Sequence, residues 1–242
     1  VTARAVRTGV WFIGARGSVA TTATAGCAAV AAGLHPPTGM VTETPPFTDC
    51  GLPPLTSLVF GGHDTLDCPL PKRAEALAAG GVLPYGLPSA VAAELPAADA
   101  EIRPGGPLRG DTRTDEELIA TFAADIQDFA HRHGLARTVV VNVASTEAAP
   151  GGDDARLPAS SLYAAAALRA GCPYVNFTPS TGLHSPHLQD AVESCGLPHA
   201  GRDGKTGQTL LRSVLAPMFV QRALPVRAWS GTNLLGLSLI HI

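Results

Sequence analysis

Apolar runs of strand length alternate along this chain with longer stretches whose apolar residues recur at helical spacing. That alternation restricts the fold more than any other feature, because it builds βαβ units whose parallel strands are covered by helices. Residues 7–14 (RTGVWFIG) read as a strand and the Ala-rich 18–33 as the helix after it. Residues 56–61 (TSLVFG) make a second strand. The clearest helix is 115–133, with Leu118, Ile119, Phe122, Ile126 and Phe129 on one face. Thr114 and Glu117 form a capping box that marks its start. RTVVVNV (137–143) does not alternate, which predicts a strand buried on both faces. A helix at 159–170, a short strand at 173–177 (PYVNF) and a helix near 186–195 follow.

Two regions break the rhythm. Residues 34–55 and 80–110 are rich in Pro and Gly, and long surface loops or excursions across the sheet edge are expected there. From Gly201 a polar, glycine-containing segment leads into a helix at 206–223, which Pro217 should kink or divide. PVRAW (225–229) reads as a strand. The expected division is a first domain over 1–200 and the beginning of an α+β domain over 201–236. Residues 237–242 (LSLIHI) match an in-frame translation of a transposase sequencing adapter, so the natural sequence is expected to stop at about Gly236.

Composition narrows the function. The chain of 242 residues is 45% hydrophobic and 15% charged, a globular balance. A net charge of −3 argues against nucleic acid as a partner, although a few placed cations could hold a small anion. Five cysteines without a C-x-x-C pair read as reduced, scattered thiols of a cytoplasmic protein. Arg16, Gly14 and Gly17 interrupt the apolar N-terminal run, and no stretch reaches the ~18 apolar residues of a membrane span. Neither a secretory signal nor a membrane is expected.

GARGSVA (14–20) lies after a strand and opens a helix, where a dinucleotide diphosphate sits on helix N-terminal amides. Gly14 permits the tight turn, Gly17 lets the backbone approach phosphates, and Ala20 takes the helix-packing position. Arg16 replaces the middle glycine of G-x-G-x-x-G, so an ordinary packing turn stands as the alternative. The candidate cofactor contacts here are Gly14, Ala15, Arg16, Gly17, Ser18 and Val19. A ribose-binding acid about twenty residues on is missing. Asp64, ending GGHD (61–64), can take that place or cap a following helix. In NVASTE (142–147), Ser145, Thr146 and Glu147 can face the cofactor crevice or form a capped turn. YVNFTPS (174–180) repeats the pattern with Asn176, Thr178 and Ser180.

GRDGKTGQT (201–209) sets Asp203 and Lys205 two apart among glycines, just ahead of a helix. Lys205 can hold an anionic oxygen, Asp203 can orient it, and the amides of Thr206, Gly207, Gln208 and Thr209 add donors. The segment lacks the first glycine of a Walker A loop. Arg212, further along the helix, is either a second cation or a solvated charge. His131 and His133 suit a helix C-terminus, and the pair His184 and His187 has no companion ligands, so no metal is expected.

Taken in order, GARGSVA, GGHD, NVASTE, GCPYVNFTPS (171–180), GRDGKTGQTL (201–210) and WSGTNLLG (229–236) resemble the inositol-3-phosphate synthase family, most closely its actinobacterial-type members. The resemblance covers nearly the whole chain. It implies a Rossmann-like NAD-binding domain and an isomerase that uses NAD and returns it. Glucose 6-phosphate would be oxidised at C5, lose a C6 proton, close its ring by attack on C1, and be reduced again. Lys205 stands at the position of a family catalytic lysine, Asp203 at that of the preceding acid, and Asn176, Thr206, Gly207, Gln208, Thr209 and Arg212 at substrate-binding positions. Eukaryotic members carry further lysines where this chain has Leu210 and Arg212, and the remaining family lysines lie beyond this sequence. Homotetramers are implied for the complete protein. The rivals are an NAD-dependent dehydrogenase of similar fold and a non-catalytic NAD-binding fragment.

Overall fold

The computed structural model describes residues 6–45, 47–48, 50–147, 156–204 and 207–230. Six parallel strands run in the order β3-β2-β1-β4-β5-β6. They are β1 (Thr8–Ile13), β2 (Leu58–Asp64), β3 (Ile102–Pro104), β4 (Arg137–Asn142), β5 (Tyr174–Asn176) and β6 (His199–Gly201). The strand order reverses between β1 and β4, the switch point where open α/β sheets bind ligands. The α/β class expected from the sequence is therefore observed as a doubly wound, Rossmann-like sheet.

Alternation along β1 assigns a core to each face. Trp11 and Ile13 point toward α5 (Asp115–His133) and α6 (Ala159–Arg169), packing with Phe122, Ile126, Phe129, Leu162 and Tyr174. Phe12 points the other way, toward α1 (Ser18–Ala31), α2 (Leu70–Ala79), α3 (Leu87–Ala90) and α4 (Glu94–Asp99). That second core is built largely from alanines, which lets α1 lie close to the sheet. The capping box of α5 is present: Glu117 N donates to Thr114 Oγ1 and Thr114 N to Glu117 Oε2.

Several expectations need correction. Residues 80–110 form an excursion to the sheet edge, as expected, but one that also holds α3, α4 and the edge strand β3, all too short to show a period. Strand β2 runs on through Asp64, so GGHD lies inside the strand rather than after it. Of β4, Thr138, Val140 and Asn142 are buried, whereas Val139 and Val141 on the alanine-rich side are only half-buried. Helix 186–195 begins as a 3-10 turn, Pro186–Leu188, before α7 (Gln189–Cys195). Helix α8 (Gly207–Gln221) passes unbroken through Pro217, which is exposed, so water can serve the carbonyl that loses its amide partner. Residues 225–229 form no strand, and no strand among the described residues pairs with them.

Glycine inside β2 has a packing cause. A Cβ on Gly62 would lie 2.2 Å from Phe12 O and 2.6 Å from Ala15 Cβ. The first contact is with the backbone of the paired strand, which cannot swing aside. Gly62→Ala should therefore lower unfolding stability by ~3 kcal/mol, the upper part of the overpacking range. Urea denaturation checks this, and an unchanged midpoint would show that β1 and β2 are not packed as described.

Candidate functional site

The site begins where β1 ends. Gly14 adopts φ +81°, and a Cβ there would strike the Ala144 backbone at 2.7 Å, so the turn requires glycine. Gly14 N and Ala15 N both donate to His63 O, at 3.0 and 3.2 Å, which fastens the turn to β2. Gly17 is the N-cap of α1, with no side-chain cap and no acidic residue in the first turn. The first amides of α1 are thus left for an anion. A Cβ on Gly17 would touch only Gly14 O, at 3.0 Å, so the space beyond it is open.

That open space is a cavity of about 380 Å³ walled by Gly14, Gly17, Ser18, Val19, Asp64, Ser145 and Tyr163, with Arg73 among its lining. It lies at the β1/β4 switch point, beside the first amides of α1. An apolar crevice of about 460 Å³ opens elsewhere, around Cys27, Ala28 and Leu55, away from the glycine-rich turn.

Asp64 caps no helix, since α2 begins at Leu70 behind Pro69; its carboxylate ties loops instead. Its Oδ2 accepts from Arg16 N at 2.6 Å and its Oδ1 from Leu66 N at 2.8 Å, so it holds two loops together. It also lines the cavity, where each oxygen keeps a second acceptor site for a ribose hydroxyl. Tyr163 is buried, accepts from Gly106 N at 2.8 Å and is pushed up to about 12 mainly by burial. At neutral pH it is a hydroxyl able to donate into the cavity.

The other sequence candidates separate into wall and frame. Ala15 is buried against Gly62 and does not line the cavity. The Arg16 guanidinium turns aside, donating to Asp99 Oδ1 at 2.9 Å and Leu66 O at 3.0 Å. The Thr146 hydroxyl is buried and has no hydrogen-bond partner among the described residues. Glu147 caps α6, accepting from Ser160 N at 2.9 Å and from the Ser160 hydroxyl, and reaches Thr181 N at 3.3 Å. Asn176 Oδ1 accepts from Asn142 Nδ2, Thr178 N and Thr178 Oγ1, and its Nδ2 donates to Ser180 O. Asn176 therefore braces the carboxyl edge of the sheet instead of presenting its amide to a ligand.

The GRDG segment is tethered to that same edge. Asp203 N donates to Asn176 O at 3.1 Å and Thr178 O at 3.0 Å, and Gly204 N to Phe177 O at 3.2 Å. A Cβ on Gly201 would lie 2.4 Å from Asn176 O, so the glycine is needed for this approach. Lys205 and Thr206 lie outside the described residues. Gly207 and Gln208 open α8, on which Thr209 is exposed and Arg212 sits over the Trp229 ring at 5.7 Å. Among the described residues no group of three metal-ligating side chains occurs.

Sequence reasoning missed Arg73, Tyr163 and the ring of His63. Tyr163 and Arg73 are ordinary helix residues in sequence, and only the fold brings them to the cavity. His63 is fully buried, with Nδ1 2.9 Å from Trp11 Nε1 and Nε2 3.0 Å from Asp125 Oδ2. An indole can only donate, so Nδ1 is the acceptor and Nε2 carries the proton given to Asp125. Burial holds the His63 pKa below its usual 6.5, opposed by Asp125 and reinforced by Arg103. The unfolded chain takes up that proton below about pH 6.5 while the folded chain resists it. Stability due to His63 is full above pH 6.5 and is lost as pH falls toward the folded pKa. The loss should set in as pH falls below 6.5. His63→Gln should flatten this component in paired denaturation series, and equal slopes would contradict the neutral, locked ring.

Comparison with known proteins agrees with this geometry. A family model for NAD-binding, described as myo-inositol-1-phosphate synthase, matches residues 8–235. The chain is 31% identical to inositol-3-phosphate synthase 1 of Bacteroides thetaiotaomicron over 95% of its own length and 62% of that relative's. It is 30% identical to the inositol-3-phosphate synthase of Saccharomyces cerevisiae over 52% of its length and 26% of the yeast chain. The solved inositol-3-phosphate synthase of Caenorhabditis elegans superposes with a TM-score of 0.70 at 20% identity, over 91% of this chain and 53% of that one, a likeness of fold. The chain thus spans between half and two thirds of the length of the Bacteroides and C. elegans proteins. With the family model covering nearly all of it, the chain belongs to the myo-inositol-1-phosphate synthase family.

Proposed function

We propose that this chain supplies the NAD site and the start of the catalytic segment of an enzyme that cyclises glucose 6-phosphate to an inositol phosphate. One observation carries the reading furthest. The GRDG segment that leads to Lys205 is hydrogen-bonded to the carboxyl end of β5, on the sheet edge where β1 and β4 open the cofactor cavity. A hydride acceptor and a cation for sugar oxygens would then address one substrate from neighbouring strand ends.

When bound, NAD takes a hydride from the sugar and returns it, so the reaction is an isomerisation. The chain's own residues provide the setting. Gly14 and Gly17 shape the turn, the first amides of α1 receive the diphosphate, and Asp64 accepts ribose hydroxyls while its charge disfavours a 2′-phosphate. Ser145 and Tyr163 close the cavity wall. Lys205 is assigned to stabilise developing oxyanions, for which preorganised cations are effective, and Asp203 to orient it. Thr206, Gly207, Gln208 and Thr209, with Arg212, are assigned to the sugar phosphate.

The part after Gly201 is read as the beginning of a second, catalytic and oligomerising domain. Leu210, Leu211, Val214, Met218 and Val220 of α8 are exposed, which suits a helix that further chain or other subunits of a homotetramer cover. No helix among the described residues is long and apolar enough to cross a membrane. Cys27, Cys50, Cys68, Cys172 and Cys195 are unbridged, which suits a cytoplasmic setting.

In the complete protein, Lys205→Ala should lower turnover of glucose 6-phosphate by ~100-fold or more, the cost of one preorganised electrostatic group. Its NAD affinity should stay within about two-fold, less than one hydrogen bond's worth. Inositol phosphate assay and NAD calorimetry test this together. Normal turnover in the variant would remove Lys205 from the mechanism, and net NADH production by the parent enzyme would favour a dehydrogenase.

A further inference from the structure

The glycine-rich turn contains an arginine, yet that arginine is spoken for. Arg16 is paired with Asp99 at 2.9 Å and bonded to Leu66 O, which removes its charge from the cavity. Among the described residues, the cation that lines the cavity is Arg73, one turn into α2. Its Nε donates to Arg16 O at 3.1 Å, and its Nη2 lies 3.4 Å from Ser18 Oγ at the first residue of α1. Arg16, Arg103 and Arg113 are half-buried and each paired with a carboxylate. Arg73 is half-buried too, but makes no ion pair among the described residues. Its Nη1 hydrogens likewise have no partner among them.

Arg7, half-buried as well and without an ion pair among the described residues, donates to the backbone carbonyl of His133. What sets Arg73 apart is that its unpaired guanidinium lines the cavity, where an anionic ligand can supply the charge. The place it occupies determines which ligand. Contact with Ser18 sets the guanidinium beside the α1 amides, where the dipole and the unsatisfied N–H groups already favour an anion. Asp64, which also lines the cavity and binds Arg16 N, is a carboxylate that a phosphate would avoid and is assigned to the ribose hydroxyls. We propose that Arg73 is a binding residue for the cofactor's diphosphate, taking the role that the arginine inside the loop does not fill. The proposal rests on the NAD reading of this cavity. It adds that the fork of Arg73 joins loop and ligand: Nε fixes the Arg16 carbonyl, and the remaining donors face the phosphate oxygens.

The test uses the chain with three probes, adenosine, ADP and NAD⁺, titrated by calorimetry at low and high salt. Arg73→Met should weaken ADP and NAD⁺ by about 10-fold or more, the scale of a lost charge-assisted hydrogen bond. Adenosine, which has no phosphate, should change by less than about two-fold. The salt dependence of ADP binding should flatten in the variant, since one screened charge pair is gone. Arg73→Lys should recover most of the loss by keeping the charge. A parallel fall for adenosine would make Arg73 only a brace for the loop and overturn the proposal. Unchanged ADP affinity would overturn it while leaving the NAD site in place. A parent chain that binds neither ADP nor NAD⁺ would overturn the NAD reading itself.

Discussion

The site hangs on a single carbonyl. His63 O accepts both amides of the turn after β1, and everything that faces the cofactor is placed relative to that turn. The carbonyl is held still because the ring on the same residue is pinned between Trp11 and Asp125, in the core beneath the sheet. Gly62, one residue earlier, leaves room for Ala15 to close down on β2. Asp64, one residue later, receives Arg16 N. Three successive residues of β2 therefore act on one turn through three different contacts: a missing side chain, a fixed carbonyl and a carboxylate.

Charge is distributed by the same frame. Asp99 withdraws Arg16 from the cavity, while the Asp64 carboxylate and the Arg73 guanidinium both line it, each bonded to the Arg16 backbone. On the far side of the switch point, Asn142 and Asn176 join the ends of β4 and β5, and Asn176 and Thr178 carry the chain that leads toward Lys205. Binding and chemistry sit on loops, and a rigid parallel sheet sets their spacing.

The sheet was legible because its signal is periodic: β1, β4, α1, α5 and α6 all lie within two residues of their expected ends. What failed to show was short or non-local. Three-residue strands such as β3 and helices of four to six residues carry too little pattern, and their place is fixed by what they pack against. GGHD read as a loop because glycine weakens strands in general, whereas here Phe12, Trp11 and Phe129 leave no space for a Cβ. In the site, the glycines stood out by their spacing and Asp64 by its place at a strand's carboxyl end. Arg73 and Tyr163 did not, since both are helix residues whose partners lie more than fifty positions away. Arg16 misled for the converse reason: its position in the loop pointed to phosphate, but a carboxylate 83 residues on claims it.

Backbone amide NMR during an NAD⁺ titration tests the central claim most directly, because it reports where on the chain the cofactor sits. The account predicts that the amides of Gly17, Ser18, Val19 and Ser145 shift together along one saturating curve. Those around the apolar crevice, Cys27 and Ala28 among them, should stay in place. Shifts centred on that crevice, or a saturating interaction that leaves Gly17 to Val19 unmoved, would contradict it.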